Sequence, residues 1–297
     1  MLNKFKLAWG GALLAVAGAA NADPFYLDIG TDYDATGINQ ACPTCTSVKT
    51  QFTLRYDSRT VVTDTTGNGI GIGDTTVTSG GLGLPGPGTI GDLSQNLLTS
   101  LIPTQILNNN SNNGFNTNYF LSFSFTGLTG VVTGMYGDTG AVPAIAYGPG
   151  VIEMFLTFDG VTFLNYMDLN ITGGGSDGLG TALFGTADFS NVDAGASAYY
   201  NLFHSASYSC NGSNGFYDIW QNCGAGSGND ALRISFVSHF DSDVTETDIV
   251  PTGPNTYEIT SNHDGSATFA VPEPTSLALA GLSLIGLGVV RRRKNAA

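Results

Sequence analysis

Basic side chains are scarce in this 297-residue chain: ten lysines and arginines stand against 24 acids, for a net charge of −14. Six of the ten sit at the two ends (Lys4, Lys6, Arg291, Arg292, Arg293 and Lys294), so residues 23–270 keep only Lys49, Arg55, Arg59 and Arg233 against 23 acids. A region with a net charge of −19 repels phosphate, which excludes nucleic acid as a partner and disfavours anionic lipid headgroups. Histidine is limited to His204, His239 and His263, and glutamate in 23–270 to Glu153, Glu246 and Glu258. No self-similarity of the length that solenoids and propellers require is visible either.

What is present begins with the N-terminus. Lys4 and Lys6 precede a small-residue and apolar run from Leu7 to Ala20, and Ala20-Asn21-Ala22 has the small-x-small form of a signal-peptidase site. Residues 1–22 therefore read as a signal peptide cut after Ala22, which argues against a cytoplasmic enzyme. Of the 41 glycines, 35 lie in 23–270, about twice the usual share of ~7%. Spread between short β-rich runs, they signal many tight turns. Cys42, Cys45, Cys210 and Cys223 are an even set in an oxidising compartment, which predicts two disulfides. Three connectivities are open; local pairing is preferred because each pair brackets a turn-rich stretch. A redox role for Cys42-Pro43-Thr44-Cys45 would need a helix after the first cysteine, whereas strand-like sequence follows.

Strand signals dominate 23–270: Phe25–Ile29, Val48–Tyr56, Thr60–Thr63, Tyr119–Phe125, Gly130–Tyr136, Val151–Phe158, Val161–Ile171, Ala196–His204, Leu232–Phe240, Thr256–Thr260 and Ser266–Val271. Phe158-Asp159-Gly160-Val161 reads as a hairpin turn. One segment differs. Asp92–Ile102 spaces Leu93, Leu97, Leu98 and Leu101 as on a helix, with Asp92 as N-cap and Pro103 as stop. The expected fold is thus all-β, a single β-sandwich or jelly-roll domain over 23–270. Its one short helix is placed in a Gly/Asn-rich insertion at 65–118.

Motifs for chemistry fail on context. Gly174-Gly175-Ser176-Asp177-Gly178 fits a nucleophile elbow but no helix signal follows it. Gly81-Leu82-Gly83-Leu84-Pro85-Gly86 fits a dinucleotide loop, but Pro85 and Pro87 forbid the helix start that would hold a pyrophosphate. Glu153 and Asp168, on neighbouring predicted strands, are the one carboxylate pair suited to glycoside hydrolysis, if about 5–9 Å apart. Aspartate also offers Ca²⁺ ligands. Asp32-Tyr33-Asp34 opens like a calcium loop that then lacks its final glutamate, and Asp241-Ser242-Asp243 with Glu246 and Asp248 forms a second cluster. Ca²⁺ at Asp32/Asp34 or Asp241/Asp243 is the one cofactor candidate. Tyr199-Tyr200 with Tyr217 and Trp220 are candidates for a sugar-stacking platform or for packing.

The C-terminus carries the most specific pattern. Val271-Pro272-Glu273-Pro274 precedes an uncharged 15-residue run, Ser276–Val290, and then Arg291-Arg292-Arg293-Lys294. As a helix at ~1.5 Å per residue the run spans about 22 Å, short of a ~30 Å hydrocarbon core, and the basic end should remain cytoplasmic. This segment resembles the PEP-CTERM sorting signal of Gram-negative bacteria that make exopolysaccharide. The resemblance implies that residues 271–297 form a transmembrane sorting helix, that an exosortase recognises Pro272-Glu273-Pro274, and that Arg291, Arg292 and Arg293 hold the C-terminus inside. A permanent single-span anchor is the alternative. The expected life history runs from an inner-membrane or periplasmic precursor, in contact with signal peptidase, exosortase and only transiently membrane, to the cell surface or an exopolysaccharide matrix. The expected function is non-enzymatic, in adhesion, flocculation or biofilm structure; a carbohydrate-binding module and a jelly-roll glycoside hydrolase or lyase are the alternatives.

Overall fold

The computed structural model describes residues 23–35, 37, 42–83, 92–107, 109–136, 142–176, 180–228, 234–242 and 248–271. Its strands in order are β1 (Phe25–Leu27), β2 (Lys49–Thr63), β3 (Thr75–Gly81), β4 (Leu97–Pro103), β5 (Phe120–Tyr136), β6 (Val142–Tyr147) and β7 (Gly150–Thr157). They continue with β8 (Leu164–Ser176), β9 (Gly180–Asp188), β10 (Phe203–Ser205), β11 (Ser235–Ser242), β12 (Asp248–Gly253) and β13 (Thr256–Ala270), with one α-helix, α1, at Phe216–Cys223.

The fold is all-β, but closed rather than sandwiched. β2 has the alternation of a half-buried strand: Phe52, Leu54, Tyr56, Ser58, Thr60 and Val62 point inward and their neighbours outward. Its partner on one side is β3, and on the other β13, which pairs antiparallel with it from Phe52↔Ala267 to Thr63↔Thr256. That last pairing joins the ends of the order β2-β3-β5-β6-β8-β9-β11-β13 into an eight-stranded ring. A sandwich would leave open sheet edges; the β2–β13 ladder removes them. β7 bridges the lower halves of β5 and β8, β4 lies on the lower half of β2, and β1 with β10 extends the same end.

Three sequence expectations are corrected by these elements. Asp92–Ile102 is not helical: a turn over 92–96 leads into β4, whose Leu98 and Leu101 are both buried. Nor is 65–118 an insertion outside the core sheet, since β3 is a member of the ring and β4 pairs with β2. The helix lies at 216–223 instead, and Ala196–His204 is a 3-10 turn (Ala194–Tyr199) followed by the short β10. The expected membrane helix falls at 276–290, outside the described residues. No helix among the described residues is long and apolar enough to cross a membrane.

Aromatic rings fill the lower half of the ring. Phe203 lies 5.4 Å from Phe25, 5.3 Å from Phe269 and 5.9 Å from Phe216 of α1, which closes that end. A smaller apolar group, Val62, Val132 and Ile259, closes the other. Between them the interior turns polar: Thr60 and Thr78 hydroxyls lie 2.9 Å apart, and Ser58 Oγ lies 2.7 Å from His263 Nε2. Beyond β2, Asp64 accepts the amides of Thr66, Gly67 and Gly69, and these two glycines have φ of 76° and 90°, a region a side chain disfavours. The glycine-rich run is thereby a fixed turn around one carboxylate, whose pKa these bonds lower against the opposing effect of desolvation.

Lys49 is fully buried at the start of β2, where Nζ donates to Ser47 Oγ (2.9 Å), the Ser111 carbonyl (3.0 Å) and Asn112 Oδ1 (2.7 Å). All three acceptors are neutral, and desolvation lowers its pKa from 10.5 to about 8. Between those two values the unfolded chain holds the proton and the folded chain does not, so stability should rise with pH through that window. Chemical denaturation at about pH 7.5 and 9.5 should show a gain on the order of 2 kcal/mol, absent in Lys49→Met. Equal slopes in both proteins would remove Lys49 as the cause.

Candidate functional site

A groove of about 490 Å³ opens on the outside of the ring beside β5 and β7. Its walls come from the turn after β3 (Leu82, Gly83), the 92–96 turn (Asp92, Leu93), Ser124 of β5, Phe155 of β7 and Gly160 with Phe163 of the β7–β8 turn. The turn holds its shape through Asp159. Its Oδ1 accepts the Val161 and Thr162 amides at 2.9 and 2.7 Å, and these bonds hold its pKa well below the usual carboxylate range. Gly160, at φ 71°, supplies the left-handed residue. The connection therefore runs over 158–163, longer than the tight Asp-Gly turn the sequence suggests. Phe155 and Phe163 meet edge to face at 6.4 Å, so the groove is apolar and aromatic, with Asp92 and Ser124 as its polar groups.

An acidic row crosses the same outer face. Glu153 pairs with Asp168 across β7–β8, and Asp168 pairs with Asp188 across β8–β9. Directly opposed residues have Cβ atoms about 4.5–5.5 Å apart. The two carboxylates singled out in the sequence are thus brought together, and Asp188 is a third that sequence reasoning missed. Glu153 is exposed and Asp168 buried. Burial, then the charges of Glu153, Asp188 and Asp193, push the Asp168 pKa up, while a 2.8 Å bond from Asn165 Nδ2 works against them. Neither Glu153 nor Asp168 lines the groove; Ser124, the β5 partner of Glu153, connects the two features.

The other expected sites are scattered. Cys42 bonds Cys45, and Cys210 bonds Cys223, the second disulfide tying the end of α1 to the turn before it. Asp28, Cys42 and Cys45 cluster closely enough to suggest a metal, but disulfide sulfurs offer no thiolate. Asp32 and Asp34 stand in a turn in which Asp32 Oδ1 accepts the Asp34 amide at 3.0 Å, and no third acid, histidine or cysteine joins them among the described residues. Asp241 lies in β11 opposite Gly180 and Asp264, while Asp243 and Glu246 lie outside the described residues. Gly174–Ser176 ends β8 and Gly180 begins the paired β9, so the G-x-S-x-G pattern is a strand connection. Ser58 and His263 form a serine–histidine contact, and both are buried inside the ring. Tyr200, Tyr217 and Trp220, half-buried against the core, pack with one another and with the buried Phe189 at 5.1–6.1 Å and mixed angles. That is packing geometry, not a flat platform.

The chain ends carry the recognisable signal. Residues 270–294 match the family model for the PEP-CTERM protein-sorting motif. The C-terminus is a PEP-CTERM sorting motif. No curated protein and no solved structure matches the chain. The PEP-CTERM match begins where β13 ends at Ala270; Pro272, Glu273, Pro274, Arg291, Arg292 and Arg293 lie outside the described residues, as does Ala22. Asp23, the first described residue, donates its amide to the Phe269 carbonyl at 2.7 Å. The N-terminal edge of the domain and the start of the PEP-CTERM segment therefore emerge side by side. Such a motif implies an exported protein handled by an exosortase.

Proposed function

We propose that this chain is a non-catalytic surface protein, sorted by an exosortase and retained at the cell surface or in an exopolysaccharide matrix, where its barrel serves adhesion, flocculation or matrix structure. The observation that carries the reading is the PEP-CTERM match at 270–294. Two further features support a non-catalytic role: the Glu153–Asp168 pair stands beside the groove and not in it, and the Ser58–His263 contact is enclosed. Intact-mass measurement on protein recovered from the native cell surface tests it. The expected mass starts at Asp23 and ends near Pro274; a mass that still includes Arg291–Lys294 would sink the sorting part.

The aromatic groove favours a second reading, a sugar-binding module, because apolar sugar faces stack on aromatic rings and hydroxyls bond to groups such as Asp92 and Ser124. The protein should then be retained on the host's exopolysaccharide without releasing new reducing ends. Phe155→Ala should lower that affinity about tenfold, the loss of one stacked ring at roughly 1–1.5 kcal/mol. Unchanged retention would reject the groove, and new reducing ends would restore the hydrolase alternative.

A further inference from the structure

We infer that the outer acidic row on β7, β8 and β9 is a calcium site, built around Asp168 and Asn165 and separate from the aspartate loops that the sequence points to. Its construction starts from a bulge. In the β7–β8 ladder Met154 pairs with Met167 and Phe155 with Asn165, leaving Tyr166 as an extra residue. Residues three apart in a regular strand face opposite ways; the bulge brings Asn165 and Asp168 to the same face. Asn165 Nδ2 then reaches Asp168 Oδ1 at 2.8 Å, and the segment after β9 is pinned across the strand by Asn165 N to Asp193 Oδ2 at 2.9 Å and Asp193 N to Asn165 O at 3.0 Å.

This geometry leaves one group unexplained. Asn165 is 5% exposed, and its Oδ1 is buried with no hydrogen-bond partner. This unsatisfied oxygen belongs to the same carboxamide as the Nδ2 that binds Asp168. A buried carbonyl without a donor destabilises the fold unless something positive meets it. The charges that act on the neighbouring Asp168 carboxylate are all negative: Glu153, Asp188 and Asp193. The cations among the described residues are engaged elsewhere, Lys49 in its neutral cage, Arg55 on the Ser94 carbonyl and Arg59 on Glu258.

A neutral carbonyl oxygen flanked by carboxylates is a hard, all-oxygen donor set. Ca²⁺ accepts it in irregular geometry with waters completing six to eight ligands, where Mg²⁺ demands a near-octahedral shell. Asp168 and Asn165 Oδ1 would supply the inner ligands and Asp188 the next. Asp188 Oδ2 already accepts Asn170 Nδ2 at 2.6 Å and Oδ1 the Ser190 amide at 3.0 Å, which fix its direction. No three of the acids converge on one point as they stand. Glu153, exposed on the same face, would have to turn inward to join them.

The test is a CaCl₂ titration of the exported protein, freed of metal by chelator, followed by melting temperature and by calorimetry. One ion should bind per chain with Kd on the order of 10⁻⁴–10⁻³ M, raising the melting temperature by about 3–10 °C at ~10 mM above a NaCl control of equal ionic strength. Asp168→Asn removes a repelled charge and so should fold, and should abolish both the increment and the calorimetric signal. Glu153→Gln should raise Kd several-fold, while Asp32→Asn with Asp34→Asn should leave binding intact. A wild-type protein that gains no more from calcium than from NaCl overturns the site. Binding that survives Asp168→Asn, or is lost on changing Asp32 and Asp34, overturns it equally.

Discussion

Replacing Phe203 with alanine should cost about 3–5 kcal/mol of folding stability, the range for a buried aromatic ring. Phe203 is 1% exposed on the three-residue strand β10, yet its ring lies within 6.4 Å of Phe25, Phe52, Tyr166, Phe216 and Phe269. It joins β1, β2, β8, β13 and α1, elements drawn from most of the chain length. The space it leaves cannot close easily, since the surrounding strands are held in continuous ladders and α1 is held at its end by Cys210–Cys223. At about 2–4 °C per kcal/mol for a domain of this size, the melting temperature should fall by about 10 °C. Phe184→Ala, with its ring 47% exposed on β9, should change stability by no more than about 0.5 kcal/mol. A loss below about 1 kcal/mol for Phe203→Ala would mean that the lower core is not packed as described.

Where the sequence reads correctly, the alternation is local and clean. Val151–Phe158 buries Ile152, Met154 and Leu156 on one side and shows Glu153 on the other, as its pattern says, but the alternation fails at the end of the strand: Thr157, expected on the solvent side, is buried, and Phe158, expected in the core, is 39% exposed. The misses have two physical sources. One is the bulge. Leu98 and Leu101 are three apart, a helical spacing, but Leu54 pairs with Leu98 and Thr53 with Ser100, so Thr99 is an extra residue and both leucines face the core from a strand. The bulge at Tyr166 has the same effect on Asn165 and Asp168, which is why the acidic row was only half legible and its asparagine was not legible at all. The other source is sequence distance. Polar inward residues such as Ser58 and Thr60 made β2 look like two strands, and His263 did the same for β13. The pairing of those two strands, some 200 residues apart, is what turns a sandwich into a barrel. No local pattern records a partner so remote.

Changing Arg291, Arg292 and Arg293 together to alanine should move nearly all of the protein from the cell surface to unprocessed precursor. The argument rests on the order of charge and hydrophobicity in the PEP-CTERM segment at 270–294. Ser276–Val290 is uncharged, and only Arg291–Lys294 follow it before the terminal Asn-Ala-Ala. Moving a central Arg or Lys into the bilayer costs about 2.5–3.5 kcal/mol on insertion scales, so four in a row set which side of the membrane the end stays on. With Lys294 alone that barrier drops by most of its height, and the run, about 22 Å as a helix, is too short to hold its orientation by length. The segment should then slip or insert wrongly, and Pro272-Glu273-Pro274 should no longer be presented at the periplasmic face. Quantitative blotting of inner-membrane and surface fractions, with intact mass on each, checks the outcome. The barrel should be folded in both fractions, since neither disulfide nor any of the thirteen strands involves the changed residues. Normal surface levels with a trimmed C-terminus would show that the basic end plays no part in sorting. Folded barrel in the surface fraction with residues 275–297 still attached would mean that the segment is a permanent anchor.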